Sequence, residues 1–206
     1  MTTPRDLMIT AMDVAPGRAV GRGELSLALA GAELIDLLAA GAVSLDGDRI
    51  LPGHRTTIAD RLLDQAAASL DREAPYESVD DWLWRRGRDL ASAYLSVLEA
   101  EGVLTRRRRW MPLRSGEPVL VESGDRRAAG DRWAWKEPVL VLLATAAGIR
   151  DEETGVAPGV VETPDVVDDT VAAVLAAVHD AVTELEAERQ RRAIEQAAFD
   201  NVWRGD

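Results

Sequence analysis

The sequence predicts a mainly α fold: a single globular helical domain spanning residues 1–206, with two or more β-hairpins at its edge. Three observations carry that reading. The apolar residues, 47% of the chain, are mostly Ala, Leu and Val, and aromatics are only 4%. Apolar positions recur at helical spacing in several long segments. A pattern of helix, glycine stop and hairpin occurs twice.

Residues 6–40 read as helical with an interruption. Pro16, Gly17 and Arg18 break it, and Gly21-Arg22-Gly23 forms a flexible connection. Residues 24–40 then carry a broad apolar stripe through Leu25, Leu27, Ala28, Leu34, Ile35 and Leu38, and Gly41 stands at the C-cap. Val43 to Leu45 and Ile50-Leu51 flank Asp46-Gly47, a hairpin signal. Residues 57–70 repeat the helical spacing with Ile58, Leu62, Leu63, Ala66 and Leu70. Ser78, with Asp81 three residues on, resembles a capping box opening a helix that continues to residue 101. Gly102 ends it and a longer hairpin follows, with residues 105–112 out, a turn at Ser115-Gly116 and residues 118–122 back. A helix over 131–147 contains Pro138 as a kink or restart and ends at Gly148. Thr163-Pro164 opens a last helix whose Val167, Val171, Val174, Val178, Ala181 and Leu185 face the core.

Composition narrows function. There is no cysteine, which excludes thiolate chemistry and Cys-type zinc sites. The first ten residues are not expected to be a signal peptide, and the longest apolar run, residues 139–149, is too short to cross a bilayer. The expected location is cytoplasmic, peripheral to the inner face of the membrane. Net charge is −12, which argues against general nucleic-acid binding. The charge is lopsided. Residues 85–132 hold eleven Arg against seven acids, while residues 151–206 hold fourteen acids and four Arg. A basic middle on an acidic chain orients it toward a polyanion.

No catalytic motif is found, so the chain is expected not to be an enzyme. His54 and His179 lack metal-ligand spacing. Gly17, Gly21 and Gly23 lack the Lys-Ser/Thr of a phosphate-binding loop. Asp165, Asp168 and Asp169 fit a helix start better than a metal site. No metal and no cofactor are implied. The feature with physical content is the second hairpin: Arg106, Arg107, Arg108 and Arg109, then Trp110, Met111, Pro112 and Leu113, then Arg114. In a strand four consecutive arginines populate both faces. Such a ribbon suits a charged surface, with a Trp, Met and Leu tip entering an apolar layer. Basic residues beside an anionic bilayer contribute about 1 kcal/mol each before ordering costs, and Trp favours the headgroup boundary. Arg85 and Arg88, three apart, share a helix face, although Arg85 can instead pair with Asp89; Arg86 snorkels from the core edge.

Several segments together resemble the Golgi phosphoprotein 3 family, including its bacterial members. They are Glu33-Leu34-Ile35-Asp36-Leu37-Leu38-Ala39-Ala40-Gly41-Ala42-Val43-Ser44-Leu45, Asp60-Arg61-Leu62-Leu63-Asp64, Val79-Asp80-Asp81-Trp82 and Leu98-Glu99-Ala100-Glu101-Gly102-Val103-Leu104, in an order that covers residues 6–115. The resemblance implies a peripheral membrane protein binding phosphatidylinositol-4-phosphate, with an apolar-tipped hairpin against the bilayer. The family's headgroup pocket, an aromatic and an Arg followed by two Arg three apart, falls here at Gly21, Ala30, Arg88 and Ala91; Arg88 alone is kept. Arg22, Arg18 and Arg85 lie nearby in the expected fold, and the hypothesis is that with Arg88 they build a different anion site. The expected partner is an anionic phospholipid membrane surface. A winged-helix-like nucleic-acid-binding regulator is the alternative, since a wing is also an Arg-rich hairpin. A scaffold or homo-oligomer built on the C-terminal helix comes third, and a hydrolase a distant fourth.

Overall fold

In a computed structural model of the chain, the described residues are 2–14, 20–54, 57–106, 118–149 and 168–203, the last three by backbone alone. Among them are eight helices and two antiparallel hairpins. The centre is α2 (Arg22–Ala39), buried almost throughout from Glu24 to Leu37. A helix apolar on every side must be surrounded. Around it pack α1 (Thr3–Val14), α3 (Arg61–Ala68), α4 (Val79–Arg86), α5 (Leu90–Ala100), α7 (Pro138–Ala146) and α8 (Asp169–Trp203). α6 (Gly124–Ala134) lies on α1. One continuous cluster of buried apolar side chains joins these layers. α8 passes close to Gly31, where an added Cβ would collide with Val178.

The helix starts follow local capping chemistry. Asp60 accepts from the amides of Leu62 (2.9 Å) and Leu63 (3.0 Å) and so begins α3 later than its apolar spacing suggests. Ser78 Oγ accepts from Asp81 N at 3.0 Å and donates to Asp81 Oδ2 at 2.7 Å, the expected capping box. Gly41, Gly102 and Gly148 have φ of +65°, +75° and +77°, as expected of helix stops. The first hairpin pairs β1 (Val43–Asp46) with β2 (Arg49–Pro52), with Asp46 opposite Arg49 and Gly47 at φ +59°. The second pairs β3 (Leu104–Arg106) with β4 (Pro118–Leu120); its tip, residues 107–117, lies outside the described residues.

Three boundaries correct the sequence reading. Arg22 and Gly23 belong to the first turn of α2, with Gly21 at its N-cap, and are not a connection. The helix expected over 78–101 is two helices, α4 and α5, parted at Gly87–Asp89. Gly87 lies so close to α2 that an added Cβ would be 3.4 Å from Ser26 O and 3.3 Å from Leu27 Cδ2, and Asp89 turns the chain at φ +54°. The helix expected over 131–147 is also two: α6 begins at Ser123, whose Oγ caps Arg126 N at 3.1 Å, and α7 begins at Pro138. α8 runs to Trp203. Its first half buries Val174, Leu175, Val178, Ala181 and Val182 against the core, whereas residues 189–199 are exposed. The helix start expected at Thr163-Pro164, and Val167, lie outside the described residues. Among the described residues no helix is long and apolar enough to cross a membrane.

Candidate anion-binding site

α4 and α5 are clamped on α2 by a buried polar knot. Glu33 has no exposed surface, and Arg86 donates to it twice, Nε to Oε2 at 2.7 Å and Nη2 to Oε1 at 2.9 Å. Arg86 also donates to Leu62 O at 3.1 Å, Tyr94 Oη to Glu33 Oε1 at 3.0 Å, and Trp82 Nε1 to Ala30 O at 3.1 Å. Burial pushes the Glu33 carboxyl above the ordinary glutamate range, against the pull of Arg86 and Tyr94. Arg86 therefore does not snorkel to solvent.

The clamp fixes the Gly87–Asp89 turn against the start of α2. Between them, with α8 as a third wall, lies a cavity of about 230 Å³. Arg22 reaches it from the first turn of α2 and Arg88 from the turn. Ser26, Leu27, Trp84, Asp89, Ser92 and Leu185 complete the working surface. Ser26 Oγ accepts from Ala91 N at 3.1 Å, which holds the first turn of α5 on this wall. Gly23 keeps this wall close: an added Cβ would lie 2.7 Å from both Leu185 Cδ2 and Arg189 Nη2, the ends of two side chains that would have to move. Arg189 pairs with Glu24 and ties α8 to α2.

Both arginines are exposed, and among the described residues neither is held by a carboxylate. That sets them apart from Arg5, Arg85, Arg86, Arg106, Arg126, Arg132 and Arg189, which are all in ion pairs. Two free guanidiniums, an indole and two hydroxyl-bearing side chains suit an oxyanion attached to an organic group. The exposed Asp89 is the opposing charge on the rim.

The other sequence candidates separate. Arg85 does not share a face with Arg88, because α4 ends at Arg86. It donates to Glu77 through Nε (2.6 Å) and Nη2 (2.7 Å), and its Cζ sits 5.2 Å from the Trp82 ring centroid. Arg85 lines no part of the cavity, and its partner is Glu77 rather than Asp89. Arg106 donates to Glu99 at 2.8 and 3.0 Å on the surface. Arg18, Arg107, Arg108, Arg109, Trp110, Met111, Leu113 and Arg114 lie outside the described residues. Sequence reasoning missed Trp84, Ser26, Ser92, Asp89 and Leu185. The one available signal was Trp84, two residues after the buried Trp82 and so turned off the core face.

The family model for Golgi phosphoprotein 3 matches residues 4–200 of this chain. The chain belongs to the Golgi phosphoprotein 3 family. Comparison with curated proteins gives no match. Three of the four positions that the family resemblance marks are occupied without charge in this Golgi phosphoprotein 3 relative. Gly21 caps α2, Ala30 is fully buried, and Ala91 is buried beneath Ser26. Arg88 remains, Arg22 stands beside the glycine, and the aromatic ring at the cavity is Trp84. Among the described residues no group of three or more His, Asp or Glu is placed to hold a metal ion.

Proposed function

We propose that this chain is a peripheral membrane protein that binds an anionic phospholipid headgroup, by family resemblance phosphatidylinositol-4-phosphate, in the cavity between α2, the Gly87–Asp89 turn and α8. Binding, not catalysis, is its task. The observation that carries the reading is the pair Arg22 and Arg88, two guanidiniums that face one cavity and have no carboxylate partner among the described residues, on a chain of net charge −12. A phosphate monoester bridges them as charge-assisted hydrogen-bond acceptor. The Arg-rich stretch of sequence from Arg106 to Arg114, which also holds Trp110, Met111 and Leu113, supplies the second contact. Two weak signals together give stable but reversible attachment.

The winged-helix-like alternative gains nothing. α5, the helix before the Arg-rich hairpin, carries no Arg or Lys and buries Leu90, Ala91, Tyr94 and Leu98. It offers no basic face to a groove.

Vesicle flotation tests the proposal. The full chain should float with vesicles containing phosphatidylinositol-4-phosphate and not with neutral phosphatidylcholine. Arg88→Ala should weaken flotation by roughly 10-fold or more, the loss of one hydrogen bond between charged groups of about 1.5–3 kcal/mol. Equal flotation of Arg22→Ala, Arg88→Ala and the parent chain would remove the cavity from the account.

A further inference from the structure

α8 runs antiparallel along α2. An added Cβ at Gly31 would meet Val178, and one at Gly23 would meet Leu185 and Arg189, so α8 advances toward its end as α2 is followed back to its start. The ion pair of Arg189 with Glu24 fastens the two helices at the first turn of α2, beside the anion cavity. There α2 stops and α8 does not. Residues 190–203 continue as helix, which at 1.5 Å per residue is an overhang of about 21 Å. Residues 189–199 are exposed throughout, Ile194 at 70% and Phe199 at 59%.

The root of the overhang is basic. Arg189, Arg191 and Arg192 stand next to the cavity that Arg22 and Arg88 line, whereas Glu195 and Asp200 lie farther out. Against these five guanidiniums stand Glu24, Glu188 and Asp89, which leaves a surplus of two positive charges at this end of a chain of net charge −12. Glu188 accepts from Arg191 at 2.6 Å and from Arg192 at 2.8 Å, but both guanidiniums are exposed and such surface pairs hold weakly.

Geometry selects the partner. A second copy of the chain would need an apolar seam, and Ile194 and Phe199, five residues apart, point about 140° away from each other around the helix. A bilayer needs no seam. A lipid whose headgroup sits in the cavity leaves it past Arg22 and Arg88, at the end of the molecule beyond which α8 extends. The headgroup layer is roughly 5–8 Å deep on each side of a bilayer, far less than the length of the overhang. The overhang therefore cannot stand between the cavity and the membrane and has to lie against it.

We propose that the exposed end of α8, residues 190–200, is a further membrane-contacting surface that lies on an anionic leaflet, with Arg191 and Arg192 at the lipid phosphates. This rests on the headgroup reading of the cavity and adds the side from which the membrane approaches.

The chain has no cysteine, so one introduced cysteine carries a polarity-sensitive dye without background. Ile194→Cys and Phe199→Cys are the probes, and Ala40→Cys, exposed at the opposite end of α2, is the control. On vesicles containing phosphatidylinositol-4-phosphate, emission from at least one probe should shift to the blue while the control stays unchanged. Soluble inositol-1,4-bisphosphate should move none of the three. Arg191→Gln combined with Arg192→Gln should weaken flotation by about fivefold or more, the factor that one cation beside an anionic leaflet contributes, and leave calorimetric affinity for the soluble headgroup unchanged. If the parent chain floats but both probes stay silent, or the double variant floats equally well, the overhang proposal falls and the cavity reading survives. If the parent chain does not float, both fall. A double variant that loses affinity for the soluble headgroup to the same extent would place these arginines in the cavity and likewise overturn the proposal.

Discussion

Replacing Arg86 by Met tests the clamp that builds the anion cavity. The substitution keeps the apolar stem but removes the three bonds to Glu33 and Leu62 O, of 2.7, 2.9 and 3.1 Å. Glu33 is left fully buried, with Tyr94 as its remaining partner. Breaking one side of a buried ion pair costs about 3–5 kcal/mol. At roughly 2–4 °C per kcal/mol for a chain of this size, the melting temperature should fall by about 6–20 °C. The sign of the pH dependence follows from Glu33. Its folded carboxyl is raised above the unfolded value, chiefly by burial. The stability it lends is therefore complete below the unfolded glutamate pKa and lost as pH rises through the folded one. Without Arg86 nothing but Tyr94 opposes burial, so the rise grows. Arg86→Met should lose more stability at pH 8 than at pH 5, and Glu33→Gln with Arg86→Met should recover part of the loss at pH 8. Circular-dichroism melts at the two pH values read this directly. A fall under about 2 °C at both, or one equal at both and not relieved by the double variant, would refute the reasoning.

Three further outcomes are expected. Gly31→Ala should destabilise by about 1–3 kcal/mol in urea unfolding, because the added methyl meets Val178 at the α2–α8 crossing, and Val178→Ala should relieve it. Asp89→Asn should tighten flotation on anionic vesicles by about threefold, the effect of removing a unit charge roughly 6 Å away in water; asparagine accepts the φ of +54° without strain. Trp84→Ala should weaken binding of the soluble headgroup in calorimetry while leaving melting temperature within about 2 °C, since the indole borders the cavity and is only half-buried.

Much of the fold is legible because it is local. The Ser78–Asp81 cap, the positive-φ glycines at 41, 102 and 148, and the Gly47 turn each announce themselves within four residues. The broad apolar stripe of residues 24–40 foretells a core-facing helix, though not one buried on every side. The breaks inside apparent helices are not local. Gly87, where α4 ends, packs against α2 at Ser26 and Leu27, a contact across sixty residues that no spacing encodes. The site suffers for the same reason. Arg88 is legible from its spacing to Arg85 and from the family resemblance, and Arg22 from its neighbourhood. Arg85 was grouped with them on the assumption of one continuous helix, and Glu77 claims it instead. Ser26, Ser92 and Leu185 come from three helices and carry no mark in sequence. Glu33 reads as one polar residue on an apolar helix; its role appears only once Arg86 and Tyr94 close over it.

Nuclear magnetic resonance of the arginine Nε–H groups, with the soluble headgroup inositol-1,4-bisphosphate as titrant, addresses the proposed site most directly. The Arg22 and Arg88 signals should shift together and saturate at one equivalent, while Arg86, locked on Glu33, stays in place. Shifts confined to Arg106–Arg109, with Arg22 and Arg88 unmoved, would contradict the account.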